Sequence, residues 1–394
     1  STLIANRLNG YIPIIESLLN IFESKKDDFI CGILDSITYL FYSFAQYEKS
    51  LDYQKKALDF RINNYGENSL EGAISNNLLA IVYQVIGNYT KAFEYSEKSL
   101  KIREEKLDNK HLDLALSYGT TAFIYLSIGE LTKAFEYSEK SLKIREEKLD
   151  NKHLLLGVSY SNISLIYRYK GQLFDALSYQ KKALELFEDS LKNEHPLLAT
   201  CYNNISLIYL AMKGQQNLIM ALNHQKKALK LTEDLLGKEH PSLATCYNNI
   251  SMIYRDMRDF KKALEYQIKD LEILKQILSD KHPDLGICYN NISLIYRDMR
   301  DFKKALEYQI KDLEISEQTL GKKHFSLATC YSNISLVYKD LKECLKAKEY
   351  MQKAINIWKD SEYHKIDLCK AQNFIKELDY NIKKNKKGSF CKYI

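Results

Sequence analysis

The chain repeats itself at a spacing of 42 residues. The segment Cys246–Ile273 returns almost unchanged at Cys288–Ile315, where the one difference is Leu294 in place of Met252. Self-similarity at a fixed period of roughly 20 to 50 residues is the signature of a protein built from stacked repeats. A continuous repeat therefore predicts one elongated stack, in place of the roughly two or three globular domains that 394 residues would otherwise suggest.

Each copy has the pattern of two helices joined by a short turn. Apolar residues recur at intervals of three and four across Leu243–Tyr254 and again across Phe260–Ile273, as on one face of a helix. Arg258 and Asp259 interrupt this pattern and mark the turn. With 14 Gly and 4 Pro in a chain that is 45% hydrophobic, the composition also favours long helices over strands.

Six histidines recur at the boundaries between copies, at spacings of 42, 42, 45, 42 and 42 residues. They are His111, His153, His195, His240, His282 and His324. Three of them precede Pro196, Pro241 and Pro283, which fit the first residue of a helix because proline loses no hydrogen bond there. Equivalent positions in stacked units lie at least about 8 to 10 Å apart, too far for ligands of one metal ion. We therefore predict that these histidines cap helices, and we predict no metal site.

The motif residues of one copy are a small residue at Ser251, Tyr254, an aromatic residue at Phe260, and Ala263. Together they resemble the tetratricopeptide repeat. The 42-residue period, with Asn-Asn before the first core residue and His-Pro at the turn, resembles the variety of this repeat found in kinesin light chains. The resemblance spans roughly residues 29–364 as about eight units. It implies an all-α, right-handed superhelical solenoid of helix-turn-helix units.

Amphipathic segments flank the repeats at both ends. Residues 1–28 contain an apolar stretch, Ile12–Phe22, and we expect them to form a capping helix or the remnant of a preceding repeat. Residues 365–380 have the spacing of an amphipathic helix, which would cover the apolar face of the last unit. Residues 381–394 carry five lysines and no acidic residue, and we expect them to form a basic, flexible tail.

Charge and hydropathy argue against several classes of partner. The formal net charge is +6, and the lysine-rich tail supplies most of it, so the repeats themselves are nearly neutral. A nucleic-acid-binding protein carries positive charge along its folded surface, and we therefore predict no nucleic-acid partner. No apolar run approaches the roughly 18 to 20 residues of a membrane helix, and residues 1–10 lack the pattern of a signal peptide. We predict no membrane span.

The eight cysteines bear on the compartment. Four of them occupy one repeat position and no Cys-x-x-Cys pair occurs, which favours an apolar role in the core over disulfides or metal binding. These four are Cys201, Cys246, Cys288 and Cys330. Unpaired thiols in this number are typical of a reducing compartment, and we predict a cytoplasmic location.

An asparagine recurs five residues before the core tyrosine in five successive copies. These residues are Asn162, Asn204, Asn249, Asn291 and Asn333. The two preceding copies have Leu78 and Thr120 there. The family resemblance implies that the first helix of each unit lines the concave face and that this asparagine binds a peptide backbone, for which an amide supplies both a donor and an acceptor. The alternative is an exposed polar row that only keeps this face soluble.

A row of cations lies six residues beyond the asparagines on the same helices. It consists of Arg168, Arg255, Arg297 and Lys339. One copy inside the row has Leu210 instead. Six residues are two helical turns minus a sector, so the two rows stand on neighbouring sides of the helix and could border one groove. The functional interpretation is recognition of an acidic peptide, and the alternative is a solvated face, because Asp256, Asp298 and Asp340 adjoin three of the cations.

Two aspartates stand where the neighbouring copies have Ala or Ser at an apolar helical position. They are Asp270 and Asp312, in successive copies. A buried carboxylate without a partner costs several kcal/mol, so each must be paired, exposed or functional. We expect structural pairing or partial exposure.

Repetition argues against catalysis. A catalytic site needs unlike residues that converge on one point, whereas copies along a stack form a row of like residues. Thr90–Leu112, for example, is identical to Thr132–Leu154. The sequence also lacks a Gly-rich phosphate loop, a His-Glu-x-x-His motif and a nucleophilic serine elbow. We therefore predict a non-enzymatic interaction scaffold or adaptor, without cofactor or metal, that binds an extended, acidic peptide of a protein partner in the concave groove.

A sensor or regulatory module is the alternative function. In that case the tetratricopeptide repeats would control an output domain outside this chain. A fused output domain upstream of Ser1 would favour the regulatory function, and a start codon immediately upstream would favour the adaptor. The sequence leaves the identity of the partner and self-association open.

Overall fold

The computed structural model consists of α-helices joined by short turns throughout the residues that it describes, as the composition and the apolar spacing predict. The structure describes residue 17 and residues 28–43, 46–191, 195–238, 240–280, 282–319, 325–359 and 365–390. In these ranges all regular secondary structure is α-helical, which confirms the predicted all-α class. The predicted amino-terminal cap, residues 1–28, lies almost entirely outside the described residues.

Seventeen helices follow one another along the described ranges. Taken in pairs, they form eight hairpins that we number repeats 1 to 8. Repeats 1 to 4 consist of α1 (Asp28–Ser43) with α2 (Tyr47–Tyr65), α3 (Leu70–Val85) with α4 (Tyr89–Lys106), α5 (Leu112–Ser127) with α6 (Leu131–Lys148), and α7 (Leu154–Tyr169) with α8 (Leu173–Ser190). Repeats 5 to 8 consist of α9 (Pro196–Met212) with α10 (Gln215–Leu236), α11 (Pro241–Asp256) with α12 (Phe260–Ile277), α13 (Pro283–Asp298) with α14 (Phe302–Thr319), and α15 (Phe325–Asp340) with α16 (Cys344–Trp358). The last helix is α17 (Lys365–Phe390).

The chain divides into two compact units, Ser1–Gly237 and Lys238–Ile394. The amino-terminal unit contains repeats 1 to 5, and the carboxy-terminal unit contains repeats 6 to 8 with α17. Within each unit the two helices of a hairpin pack on each other, and the second helix also packs on the first helix of the next repeat. Each unit is therefore a stack of helix-turn-helix repeats, as the 42-residue period predicts.

Histidine side chains cap the first helices, as the sequence predicts. In five repeats the Nδ1 atom of the histidine accepts a hydrogen bond of 3.1 to 3.2 Å from the backbone N–H two residues further on. The five are His111, His153, His195, His240 and His282, whereas His324 lies outside the described residues. Each bond satisfies an amide at the start of a helix that has no partner within the helix.

The motif residues join the two helices of a repeat. In repeat 6, Ser251 Oγ donates a 2.8 Å hydrogen bond to the backbone carbonyl of Ala263. The rings of Tyr254 and Tyr266 stack beside it, with centroids 5.6 Å apart. Ala263 is fully buried, and its small side chain lets the serine of the first helix reach the backbone of the second. The same bond joins Ser164 to Ala176, Ser206 to Ala221, Ser293 to Ala305 and Ser335 to Ala347.

A buried arginine near the end of the second helix joins each of repeats 1 to 3 to the repeat that follows. Arg103 is 2% exposed. Its Nη1 atom donates to Ser117 Oγ at 2.7 Å and to the carbonyl oxygen of Asp113 at 2.9 Å. Equivalent bonds join Arg61 to Ser75 and Arg145 to Ser159. The apolar periodicity of the sequence does not identify these arginines, because they are polar residues inside the core. They join adjacent repeats by hydrogen bonds.

Repeat 4 has Phe187 at the position of these arginines. Phe187 is 1% exposed, and its ring lies against Gly157 of α7. A Cβ atom at position 157 would stand 2.5 Å from Phe187 Cε1, closer than non-bonded carbon atoms approach. The glycine is therefore needed for the packing of this ring.

We expect Gly157→Ala to destabilise the protein by about 1 to 3 kcal/mol, because overpacking a filled core displaces the ring. Chemical denaturation followed by circular dichroism measures this change. The matched control is Gly119→Ala in α5, where an added Cβ would come no closer than 3.6 Å to a neighbouring atom. That control should leave stability unchanged or raise it by up to about 1 kcal/mol. Phe187→Leu should recover part of the loss in the Gly157→Ala background, and a Gly157→Ala protein of undiminished stability would contradict the packing argument.

Helix α17 packs on the last repeat. Its residues Ala371 and Leu378 are buried, and it covers Trp358 of α16. The helix continues past residue 380, the predicted end of the capping helix, as far as Phe390, so the described backbone of the basic segment is helical. This segment is rich in lysine, which favours helix, and contains no proline, so the helix can extend into it. None of the described helices is long and apolar enough to cross a membrane.

Candidate functional site

The predicted asparagines all lie on first helices. Asn162 is on α7 and Asn204 on α9 in the amino-terminal unit, and both side chains are partly exposed. Asn249, Asn291 and Asn333 are on α11, α13 and α15 in the carboxy-terminal unit. Asn249 differs from the others because its side chain is only 5% exposed. The row is thus accessible at four of its five positions.

Asparagines of the carboxy-terminal unit form hydrogen bonds between adjacent repeats. Asn291 Nδ2 donates to Asn248 Oδ1 at 2.8 Å, and Asn333 Nδ2 donates to Asn290 Oδ1 at 2.9 Å. We call these four residues the amide ladder. Each bond uses one amide hydrogen of Asn291 or Asn333, whose Oδ1 atoms make no hydrogen bond to any residue that the structure describes. The ladder therefore fixes the side chains and leaves acceptors for a ligand.

The predicted cations of this unit form ion pairs that also cross between repeats. Arg255 Nε pairs with Asp298, and Arg297 Nε pairs with Asp340. Lys339 Nζ pairs with Glu377 of α17 at 2.8 Å. The carboxylate partner of each arginine thus comes from the following repeat and not from the adjacent residue of its own helix.

The guanidinium groups retain unused donors. Side chains of Arg255 and Arg297 are 33% and 30% exposed, and only their Nε atoms bond to the aspartates. Their terminal Nη groups make no hydrogen bond to a described residue. A paired Nη fork is the arrangement that binds a second carboxylate in a bidentate manner. The ion pairs therefore orient these arginines without exhausting them.

Apolar side chains lie between the amide ladder and the ion pairs. Met252 is 41% exposed on α11, three residues from both Asn249 and Arg255. Leu294 and Leu336 hold the equivalent positions on α13 and α15 and are partly exposed. This row was not among the predicted site residues, although the periodicity of the sequence indicates an apolar residue at the same position of every copy. Amide, apolar and charged side chains thus alternate along each first helix.

The amino-terminal unit carries a sparser version of these features. Arg168 lies over the ring of Tyr169, with its guanidinium carbon 5.2 Å from the ring centroid. Leu210, which takes the place of a cation in repeat 5, is 8% exposed. Asn162 and Asn204 make no hydrogen bond to another residue within the ranges that the structure covers. The predicted rows are therefore most complete in repeats 6 to 8.

Asp270 and Asp312 are buried and bond to neutral groups. They are 4% and 6% exposed, so the expected alternative of partial exposure is wrong. Gln267 Nε2 donates to Asp270 Oδ2 at 2.6 Å, and Gln309 Nε2 donates to Asp312 Oδ2 at 2.9 Å. Among the described residues neither carboxylate has a cation within ion-pair distance. The expected pairing is present, but the partners carry no charge.

Burial dominates the titration of these two carboxyls. Removal from water raises the pKa of Asp270 to about 7 and that of Asp312 to about 6. Cysteine thiols lie beside both, and Cys330 Sγ donates to Asp312 Oδ2 at 3.1 Å. Burial likewise raises the pKa of the Cys330 thiol to about 12, so it is a hydrogen-bond donor at neutral pH. These groups belong to the core, and Gln267 Nε2 also donates to Asn248 Oδ1 of the ladder at 3.4 Å, so Asp270 lies one side chain away from the ladder.

Within the described ranges, no group of three or more His, Cys, Asp or Glu side chains is arranged to hold a metal ion. The amide ladder and the ion pairs are instead repeated contacts on parallel elements. Such an arrangement presents the same chemistry at regular intervals, which suits an extended ligand.

The protein is a stack of helical hairpins, and this architecture defines the class of helical repeat proteins. The sequence model of the tetratricopeptide repeat matches residues 72–147, 155–216, 212–276, 252–311 and 289–360. The chain belongs to the tetratricopeptide repeat family, as the motif residues indicated. A search of curated protein sequences found no match.

Two solved structures share this fold at low sequence identity, and a third resembles part of the chain. A Rap protein complexed with Competence and Sporulation Factor is 12% identical, with a TM-score of 0.57 over 91% of this chain and 99% of the other. The Cut9–Hcn1 hetero-tetramer of the APC/C is 15% identical, with a TM-score of 0.56 over 92% of this chain and 57% of the other. BtubC (BKLC) from P. vanneervenii is 20% identical, with a TM-score of 0.44 over 60% of this chain and 91% of the other.

Proposed function

We propose that this protein is a non-enzymatic interaction scaffold and that repeats 6 to 8 bind an extended, acidic peptide of a partner protein along their first helices. The observation that carries this proposal is the amide ladder, in which Asn291 and Asn333 are held by Asn248 and Asn290 of the preceding repeats. Asn162, Asn204 and Arg168 are proposed contacts of the same kind in the amino-terminal unit.

The spacing of the ladder supports an extended ligand. Adjacent packed helices lie about 8 to 10 Å apart, so equivalent asparagines recur at about that interval. An extended chain rises about 3.3 Å per residue and advances the same distance in three residues. One asparagine per repeat thus matches every third residue of a bound peptide. The Oδ1 atoms would accept hydrogen bonds from the backbone N–H groups of that peptide.

The proposed preference for acidic residues rests on the arginines. The Nη groups of Arg255 and Arg297 make no hydrogen bond within the described structure, and the partner aspartates hold the side chains in place. A peptide carboxylate can bind such a fork without displacing Asp298 or Asp340. These aspartates already balance the positive charge of the arginines. We therefore expect the site to recognise its ligand by hydrogen-bond geometry as well as by net electrostatic attraction.

Selection of peptides against the intact protein tests this function. A random 12-residue library displayed on phage should yield peptides enriched in Asp and Glu, whose dissociation constants are then measured by fluorescence anisotropy. Replacing Asn291 and Asn333 together with Ala should weaken binding roughly 10-fold at every salt concentration, because neutral hydrogen bonds are lost. Replacing Arg255 and Arg297 with Gln should mainly reduce the salt dependence of binding.

The matched control removes the same charge from the same two repeats. Lys262 and Lys304 pair with aspartates at the start of the second helices, away from the ladder. Lys262→Gln combined with Lys304→Gln should leave the dissociation constant and its salt dependence unchanged. Selected peptides that bind the Asn and Arg variants as tightly as the parent would show that this face is not the binding site.

A further inference from the structure

The turns inside repeats 6 to 8 place a cation where the turns of repeats 2 to 4 have glycine. In repeats 2 to 4 one residue between the two helices has a positive φ. These residues are Gly87, Gly129 and Gly171. The corresponding residues of repeats 6 to 8 are Arg258, Arg300 and Lys342, with φ angles of 62°, 63° and 64°.

Backbone hydrogen bonds show that the two sets of turns are equivalent. The N–H of Gly87 donates to the carbonyl of Gln84 at 3.1 Å, and the N–H of Arg258 donates to the carbonyl of Arg255 at 2.9 Å. A left-handed residue just past a helix is usually glycine, because a Cβ atom crowds the backbone in that conformation. Three successive turns therefore hold a less favourable residue, and backbone strain of this kind points to a function of the side chain itself.

The three side chains are exposed and uncommitted. Within the described ranges, Arg258, Arg300 and Lys342 form no hydrogen bond or ion pair through their side chains. Lys261 and Lys303, at the start of the second helices of repeats 6 and 7, are likewise exposed and unpaired among the described residues. We call these five cations the basic edge.

The acidic residues beside the basic edge are mostly neutralised by other cations. The three turns with their flanking residues, 255–262, 297–304 and 339–346, contain six acidic residues. Five of them form ion pairs with cations that do not belong to the edge, and these are Asp259, Asp298, Asp301, Asp340 and Glu343. Asp256 is the sixth, so one acidic side chain stands against five unpaired cations in the part of the chain that the structure describes. The edge therefore carries an excess of positive charge.

Helix α17 carries further lysines past the same edge. Its first turns pack in the cluster of Trp358, at the end of α16 that lies away from the turn. Further along, Glu377 pairs with Lys339 and Asp379 pairs with Lys348, close to the turn of repeat 8. The helix therefore runs toward the turn, and residues 381–390 extend it by about 15 Å beyond these ion pairs. This extension contains Lys383, Lys384, Lys386 and Lys387.

Apolar side chains stand among these cations. Met299 is 45% exposed and directly precedes Arg300. Leu345 is 71% exposed in the first turn of α16, three residues after Lys342. Cations beside exposed apolar side chains are typical of surfaces that bind an anionic bilayer, because the charges meet lipid headgroups while the apolar side chains enter the acyl boundary.

We propose that the basic edge, with Met299, Leu345 and the lysine-rich end of α17, is a membrane-binding surface that docks the carboxy-terminal unit on a bilayer of anionic lipids. Lipid headgroups are mobile, so they can adjust to cations that no hydrogen bond holds in place. A nucleic acid presents phosphates at fixed intervals and offers no apolar layer for Met299 and Leu345. The surface lies at the turns and uses none of the asparagines of the amide ladder, so the proposal does not depend on peptide binding.

Flotation with lipid vesicles tests this surface. The protein should bind vesicles made of equal parts of phosphatidylcholine and phosphatidylserine, should not bind phosphatidylcholine alone, and should dissociate as salt rises. Replacing Arg258, Arg300 and Lys342 together with Gly should weaken binding at least roughly 10-fold, since each basic residue near an anionic bilayer contributes roughly 5-fold to affinity. Glycine is the residue of the equivalent turns in repeats 2 to 4, so this variant should melt at or above the temperature of the parent.

Two further variants test the other parts of the surface. Replacing the four lysines of the α17 extension with Gln should also weaken binding at least roughly 10-fold. Met299→Ser combined with Leu345→Ser should weaken binding at every salt concentration, because apolar contacts are not screened by ions. Undiminished binding by either variant would overturn the proposed surface.

The matched control removes three charges from the second helices of the same repeats. Lys269, Lys311 and Lys353 pair with glutamates one turn earlier on those helices, and replacing all three with Gln should leave vesicle binding unchanged. The Asn291→Ala, Asn333→Ala variant should also bind vesicles as the parent does, which separates this surface from the peptide site. Equal binding by the Gly variant and the parent, or an equal loss in the lysine control, would overturn the proposal. Tighter binding to a DNA duplex or to polyglutamate than to the vesicles, lost in the Gly variant, would assign the edge to a nucleic acid or an acidic protein and overturn the membrane assignment.

Discussion

Replacement of both Asp270 and Asp312 by Asn is expected to raise the free energy of unfolding at pH 8 by several kcal/mol and at most about 7 kcal/mol, since the pKa shifts of the two carboxyls sum to about 5 units and one unit corresponds to about 1.4 kcal/mol. Asparagine retains the acceptor oxygen for Gln267 or Gln309 and carries no charge that burial can penalise. The measurement is urea denaturation of parent and variant at a series of pH values from 4.5 to 8.

The sign of the pH dependence follows from the raised pKa values. Burial raises the pKa of Asp270 to about 7 and that of Asp312 to about 6 from the ordinary value of 3.8. Between pH 4 and 7 the unfolded chain has released protons that the folded protein still holds, so the folded state loses stability as pH rises. The advantage of the Asn variant should therefore be small at pH 4.5, grow through pH 7 and level off above it. An advantage independent of pH would contradict the argument that these carboxyls ionise in the core.

Alanine substitution separates hydrogen bonding from charge. At pH 4.5 both carboxyls are largely protonated in the folded protein, and Asp270→Ala then removes the contacts with Gln267 and with the Cys288 thiol, together with some packing. We expect this variant to be less stable than the parent at pH 4.5, because a buried amide loses a partner. If it were more stable there, pairing with Gln267 would not be what retains the aspartate.

Sequence periodicity predicted the elements of this fold and several of their caps. The 42-residue repeat and the three- and four-residue spacing placed two helices in each copy, and the structure has them there. Histidine capping was predictable because His-Pro marks a helix start, and the Nδ1 contact of His240 confirms it. Helix positions and caps depend on residues close together in the chain, so the sequence of a single repeat is enough to predict them.

The sequence did not reveal how side chains of different repeats pair. Adjacency suggested that Asp256 neutralises Arg255 within one helix, whereas the structure pairs Arg255 with Asp298, 43 residues away. Neighbouring residues of a helix point about 100° apart, while equivalent faces of adjacent first helices lie side by side. Asn248 and Asn291 are also separated by 43 residues. These contacts therefore join residues separated by one period plus one residue, that is, by 43 positions. This spacing can be recognised only when the relative positions of the helices are known.

Exposure was the second property that the sequence did not supply. Asn249 and Asn291 occupy the same repeat position, yet the first is buried and the second is accessible. Leu78 and Thr120 counted in the sequence only as missing asparagines, whereas in the structure Ile74, Leu116 and Phe123 on the same two helices are exposed apolar side chains. Periodicity identifies the side of a helix, whereas neighbouring repeats decide how much of that side meets water.

Removal of α17 by ending the chain after residue 359 is expected to lower the melting temperature substantially and to cause association. The helix packs Ala371 against a cluster that includes Met351, Ile355 and Trp358, which are 3%, 3% and 7% exposed in its presence, and its own Leu378 is fully buried. Each large apolar side chain returned to water costs about 1.5 to 3 kcal/mol. Differential scanning calorimetry and light scattering measure the two effects.

A chain that ends after residue 380 is the matched control, because it loses the basic segment but retains the packed part of α17. It keeps Leu378 and the ion pairs of Glu377 with Lys339 and of Asp379 with Lys348. Its melting temperature should therefore stay close to that of the parent, since a few further residues at the end of a helix add little to stability. Equal losses in both truncations would indicate that the lysine-rich segment stabilises the fold, and a stable, monomeric chain ending after residue 359 would show that α17 does not cap the stack. The terminal repeat of a stack exposes the apolar face that every other repeat buries against its neighbour, so the larger loss is expected when that cover is removed.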